Sequence, residues 1–244
     1  MLGRAHIWQG LPQLAARGRD TLAQTGWLAS TPADFREAML AATIFRTADP
    51  GVEFMHGGDA YGGLEGIAEG SAELSFLSGH PDTRAIHLAH AGFWAGYKTL
   101  LGRQKFLSLI AKTPVVWALI PQHSLERLLC ENPRWWREIS LLADMMNDVA
   151  GQIISDLSRQ NSEIRAVAAI LRLAGCRLDY LPDPLPPAEL HISQNELASM
   201  AVMSRNTLNG IVGRLVDRGH VELGYRCIRI RNAAALRAMV NADE

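Results

Sequence analysis

Arg205, Asn206, Thr207 and Asn209 crowd into one short run inside residues 192–231, ISQNELASMAVMSRNTLNGIVGRLVDRGHVELGYRCIRIR. Arginine and asparagine present paired donors or acceptors to base edges in a major groove, and serine or threonine hydroxyls suit phosphate oxygens. Ser193 and Ser204 precede the run, Arg214 follows it, and Arg226, Arg229 and Arg231 come together further on. Residues 193–237 hold seven arginines against three acids, a local excess of four positive charges in a chain whose net charge is −1. A local basic patch is what phosphate binding needs, whatever the overall charge. Double-stranded DNA is the first partner to expect, with Ser193, Ser204, Arg205, Asn206, Thr207, Asn209, Arg214, Arg226 and Arg229 as its contacts.

The elements that must carry these side chains are legible too. Ser193 followed three residues later by Glu196 is a capping box, which satisfies two otherwise orphaned N–H groups at a helix start. Leu197, Ala198 and Ala201 give that helix its apolar face. Ser204 offers a second N-cap, ahead of Leu208, Ile211, Val212 and Leu215 at the 3/4 spacing of a buried stripe. Residues 219–231 alternate as a hairpin, with Gly224 expected at the turn. Helix, turn, helix and basic hairpin make a winged helix-turn-helix, placed at residues 161–244. Val202 occupies the inter-helix turn, where a β-branched residue is uncomfortable if φ must be positive.

Other chemistries find less support. His56, His87, His90 and His123 lie in or near a β-rich region, so a metal-dependent cupin-like enzyme or a haem-based gas sensor is the alternative. The 87/90 spacing in a strand points the two rings to opposite faces, which is poor geometry for one metal. Cysteines 130, 176 and 227 are too dispersed for a CxxC-type knuckle or an iron–sulfur cluster. Their odd number suits reduced thiols. Cys227 lies in the basic hairpin, where oxidation would add negative charge. Paired carboxylates, a Gly-x-Ser-x-Gly elbow and a phosphate loop are missing, so no enzyme, no metal and no cofactor is expected. No apolar run reaches signal-peptide or membrane-span length, which predicts a cytoplasmic protein without membrane contact.

Upstream, residues 51–119 read as short β-type runs separated by glycines: VEFMHGG, GGLEGIAEGSAELSFL, TRAIHLAHAGFW and TPVVWALI. Such spacing predicts a double-stranded β-helix, a jelly roll, within an overall α+β chain. PADFREAMLAA and HSLERLLCENP predict short flanking helices. Residues 133–160 predict one long helix whose Ile139, Leu142, Met146, Val149 and Ile153 step by 3, 4, 3 and 4, the seam of a two-stranded coiled coil and hence a homodimer. Two recognition helices about one DNA turn (~34 Å) apart would read an inverted repeat. Residues 1–24 read as a loosely ordered extension and 25–132 as the β-roll.

This order of parts resembles the Crp/Fnr family of bacterial transcription regulators over roughly residues 25–238, most strongly at SQNELA, SRNTLNGIVGRL and LGYRCIRI. The resemblance implies a homodimeric promoter-binding regulator that contacts RNA polymerase and answers an effector in a cyclic-nucleotide-binding-like roll. Ser204, Arg205 and Thr207 match the family's recognition pattern, whereas Asn206 replaces its glutamate and Gly210 its second arginine, so the half-site should differ. At the effector site Tyr97 stands for the glutamate that holds a ribose hydroxyl, and Lys105 and Phe106 for the Arg-Ser pair that holds a cyclic phosphate. Lysine lacks the bidentate fork and phenylalanine the hydroxyl, so cyclic AMP is not expected to bind. A pocket lined by Phe93, Trp94, Gly96, Tyr97, Lys105 and Phe106 would suit an apolar or aromatic molecule, or none.

Overall fold

A computed structural model describes residues 11–76, 85–177 and 188–242, and its contacts divide them into two units, one of 11–76 with 88–147 and the other of 85–87 with 148–177 and 188–242. The first unit opens on three helices, α1 (Leu11–Gln24), α2 (Gly26–Ala29) and α3 (Ala33–Ala41). Eight strands follow: β1 (Ile44–Ala48), β2 (Glu53–Met55), β3 (Gly63–Glu69), β4 (Ser71–Phe76), β5 (Ala85–His90), β6 (Trp94–Ala95), β7 (Leu107–Ala111) and β8 (Val115–Pro121). They pair into two antiparallel four-stranded sheets, ordered β1-β8-β3-β6 and β2-β7-β4-β5. This is the expected jelly roll. Helix α4 (Gln122–Glu131) and the long helix α5 (Trp136–Ser158) come next.

Two strands have no counterpart in the glycine-bounded runs. IFRTA follows α3 with no glycine before it, and LSLIA lies between charged neighbours, yet β1 forms the edge of one sheet and β7 sits inside the other. Residues 11–24 are also not a loose extension. They form α1, which buries Gly18 and Leu22 and is tied down where Arg19 donates to the Leu40 carbonyl at 2.5 Å. An apolar face on few residues was hidden among polar ones.

The core joins helices to sheet through aromatic edges. Trp27 meets Phe35 and Trp94 with centroids 5.6 and 5.8 Å apart, and Phe35 meets Trp135 at 5.4 Å. Such edge-to-face contacts add to what area burial gives. The buried Trp27 indole donates to the Glu138 carbonyl at 2.8 Å, satisfying its one polar atom. Gly26 (φ 63°) and Gly92 (φ 91°) stand back to back, because a Cβ on Gly26 would run into the Gly92 carbonyl and one on Gly92 would lie 2.9 Å from the Gly26 nitrogen.

Helix α5 corrects the seam. Ile139 and Leu142 belong to the chain's own core, packed in one cluster with Trp27, Phe35 and Trp135. Their 3/4 spacing records intramolecular packing, which a heptad-like pattern cannot be told from over two turns. Met146, Val149 and Ile153 are half-buried, and beyond them Ile154 is 68% exposed and Leu157 also exposed.

In the second unit the central helix is α6 (Ser162–Leu173), capped by Asn161, whose side chain accepts from the Glu163 and Ile164 N–H groups. The strand β9 (Ala188–Leu190) leads to α7 (Gln194–Met200), α8 (Arg205–Asp217), β10 (Val221–Gly224), β11 (Cys227–Ile230) and α9 (Ala233–Asn241). The three strands form one antiparallel sheet ordered β10-β11-β9. Among the described residues no helix is long and apolar enough to cross a membrane.

Candidate nucleic-acid interface

The capping box is built as its sequence predicts. The Glu196 amide donates to Ser193 Oγ at 3.3 Å, while Ser193 N–H and Oγ–H both donate to Glu196 Oε2, at 2.7 and 2.6 Å. Ser193 is therefore committed to starting α7, and its hydroxyl has no spare proton for a phosphate. The turn after α7 is closed by Val202 and Met203 amides donating to the Ser199 and Ala198 carbonyls, at 3.2 and 3.0 Å. Val202 takes φ 50° there, the left-handed conformation its position predicts.

Helix α8 presents the reading residues. Ser204 Oγ caps it by accepting from the Thr207 amide at 3.1 Å and shares a 2.8 Å bond with the Thr207 hydroxyl. Leu208, Ile211, Val212 and Leu215 are buried, which turns Arg205, Asn206, Thr207 and Asn209 outward together. The Arg205 side chain has no ion pair or hydrogen bond among the described residues. It sits at the first turn, where unpaired amides and the helix dipole favour an anion beside it.

Arg214 does different work. It pairs with Glu163 on α6 at 2.6 Å, joined by Arg218 at 2.9 Å, so one carboxylate clamps α8 to α6. The hydrogen bond from Arg214 and its charge, with those of Arg218, hold the Glu163 carboxyl below the ordinary range against partial burial. Arg214, expected as a DNA contact, is thus half-exposed and already paired. Its partner lies outside the 193–237 window, which is why counting charges there missed it.

The wing is similarly balanced. Its turn is Tyr225–Arg226, with the positive φ of 50° at Arg226 rather than at Gly224, which pairs with Cys227 in the ladder. Tyr225 is 94% exposed. Arg226 lies 3.5 Å from Glu196, Arg229 is 2.6 Å from Glu189 and 3.9 Å from Glu222, and Arg231 is 3.2 Å from Glu222. Glu163 and Glu189 thus halve the excess of four to two. Between α7, α8 and the wing opens a cleft of ≈ 270 Å³, lined in part by Ser193, Asn195, Arg205, Tyr225 and Arg226. Cys227 is buried beside it, and burial with the Glu189 charge raises its thiol above the usual range.

A small cavity of the β-roll lies beside Lys105. Met55, Gly96, Tyr97, Lys105, Phe106 and Met146 are among the residues that line it, and about 10 Å³ remains, room for roughly one water. Trp94 belongs instead to the core and Phe93 is half-buried elsewhere, because strand β6 turns the Trp94 ring toward Gly66 and Trp27. Lys105 donates to Glu65 Oε1 at 2.9 Å, the two side chains 3% and 6% exposed. Burial raises the Glu65 carboxyl, with the ammonium pulling it back. Lys98 lies over the Phe106 ring at 3.7 Å, and Phe106 stacks on Phe76 at 5.1 Å. His56 lies beside Glu53, His87 and His90 share β5, and His123 is on α4, and none of them joins a group of three ligand atoms among the described residues.

Residues 165–239 match the family model of the Crp-like helix-turn-helix domain. The fold resembles a CRP/FNR-family transcriptional regulator from Thermus thermophilus, TM-score 0.62 at 18% identity over 82% of this chain and 100% of that one. It also resembles FixK2 from Bradyrhizobium japonicum, TM-score 0.64 at 15% identity over 80% and 96%. A third likeness is to a regulatory protein from Silicibacter pomeroyi DSS-3 provisionally described as cAMP-binding, TM-score 0.65 at 17% identity over 92% and 99%. No curated protein sequence matches the chain significantly.

Proposed function

We propose that this chain, a Crp-like helix-turn-helix domain on the CRP/FNR regulator fold, is a sequence-specific DNA-binding transcription regulator and not an enzyme. The carrying observation is the outer face of α8, where an unpaired Arg205 stands with Asn206, Thr207 and Asn209 above a fully buried stripe. Arg205 supplies a bidentate fork for guanine, Asn206 and Asn209 supply amide pairs for adenine, and the wing tip at Tyr225 and Arg226 supports the phosphates. Residues 161–244 are the DNA-binding domain, 133–160 the dimer helix and 25–132 the sensor.

The regulator acts in the cytoplasm as a homodimer on an inverted repeat and contacts RNA polymerase. The dimer face is the C-terminal part of α5, where Met146, Val149 and Ile153 adjoin the exposed Ile154 and Leu157. Its sensor does not take cyclic AMP, because Lys105 is spent on Glu65 and the cavity has room for about one water.

Selection of bound oligonucleotides followed by gel shift tests the reading. Arg205→Ala should cost about 1–3 kcal/mol at the selected site and relax discrimination at one base pair. An unselective wild type, or an Arg205→Ala protein of unchanged affinity, overturns it. Saturable calorimetric binding of cyclic AMP at micromolar concentration overturns the sensor statement.

A further inference from the structure

We propose that the outer face of the wing sheet holds a divalent transition-metal ion of the Zn²⁺ class on Glu189, His191 and Cys227, and that the bound ion releases Arg229 for phosphate contact. The ligand atoms of these three residues already lie within 4.8 Å of one another. Strand register brings them there. Glu189 stands opposite Arg229 in the antiparallel pair β9/β11, so His191, two residues on, shares the face of Glu189 and follows the ladder to Cys227. A carboxylate, an imidazole and a thiolate are a tetrahedral zinc set with one position left for water. Bond lengths near 2.0–2.3 Å place such ligands roughly 3.5 Å apart. Rotation of the exposed His191 and the half-buried Glu189 would close the gap.

The coupling follows from charge. Glu189 divides its carboxylate between Arg229, 2.6 Å from Oε1, and His191, 3.6 Å from Oε2. Binding M²⁺ converts the Cys227 thiol to thiolate and releases one proton to solvent. Carboxylate, thiolate and metal then sum to zero where a −1 charge had neutralised Arg229. The guanidinium is then left with Glu222 alone, 3.9 Å away and shared with Arg231, and carries more of its charge uncancelled in the wing, where DNA phosphates are expected; this second half rests on the DNA-binding reading.

Full-length protein, reduced and stripped by chelator, is titrated with Co²⁺ alone, without DNA. One ion per chain with a thiolate-to-cobalt charge-transfer band is expected, displaced by Zn²⁺. The band should vanish in Cys227→Ser and affinity fall at least tenfold in His191→Gln, whose exposed ring keeps folding out of the question, while Cys130→Ser leaves both unchanged. No band in the wild type, or a band surviving in Cys227→Ser, overturns the site. In gel shifts Zn²⁺ should tighten DNA binding severalfold in the wild type and not in Arg229→Ala. Zn²⁺-independent affinity overturns the release of Arg229 alone, and a protein that binds no DNA in either state overturns the function proposed above and that release while leaving the cobalt result to judge the site.

Discussion

Replacing Val202 by glycine should stabilise the helix-turn-helix relative to replacing it by alanine. Val202 holds φ 50°, a region that costs an L-residue about 1–2 kcal/mol through its Cβ. Glycine removes that cost and brings back about 0.5–1 kcal/mol of unfolded-chain freedom. Alanine keeps the strain while losing nearly the same packing, which is modest because Val202 is 64% exposed. The two variants should therefore differ by about 0.5–1 kcal/mol in favour of glycine, roughly a two- to fivefold difference in the opening equilibrium. Tryptophan fluorescence is blind to this, since all six tryptophans precede residue 137. Hydrogen exchange of the α7 and α8 amides in the full chain reads it directly. Equal protection in the two variants, or more in alanine, refutes the claim that the turn is strained.

Glu163→Gln should cost about 0.5–1 kcal/mol, the half-exposed arginines keeping the figure low. Arg214 and Arg218 lower the folded-state pKa of Glu163, so the clamp is complete above the ordinary glutamate range and is lost as pH falls through the lowered value; acid unfolding of the glutamine variant should lack that slope. Lys105→Met strands the buried Glu65 carboxylate and should cost about 3–5 kcal/mol in urea unfolding followed by tryptophan fluorescence. Because the Glu65 pKa is raised, that deficit should shrink on acidification and grow as pH rises through the folded-state value, and adding Glu65→Leu should recover most of it. Ile154→Asp should yield monomers by sedimentation, and a persisting dimer would place the interface elsewhere.

Local patterns carried the reading where one residue's neighbours in sequence are also its neighbours in space. Ser193 with Glu196, the stripe from Leu208 to Leu215 and the turn at Val202 are of that kind, and all stand as their sequence implies. Charge did not follow the same logic. Glu163 and Glu189 reach Arg214 and Arg229 from 51 and 40 residues away, and no window along the chain reveals such partners. Lys105 with Glu65 is hidden likewise, at a separation of 40. The seam at Ile139 and Leu142 misled for a different reason: a 3/4 stripe states that one helix face is buried and is silent on which molecule buries it.

Gly26 and Gly92 meet backbone to backbone, and that joint tolerates no side chain on either half, so a change at one cannot be rescued by a change at the other. Mutational libraries of this chain should come back empty at both codons while the loops on either side accept variety. A distant sequence that keeps the strands but lacks this doublet must fasten its leading helices by some other weld.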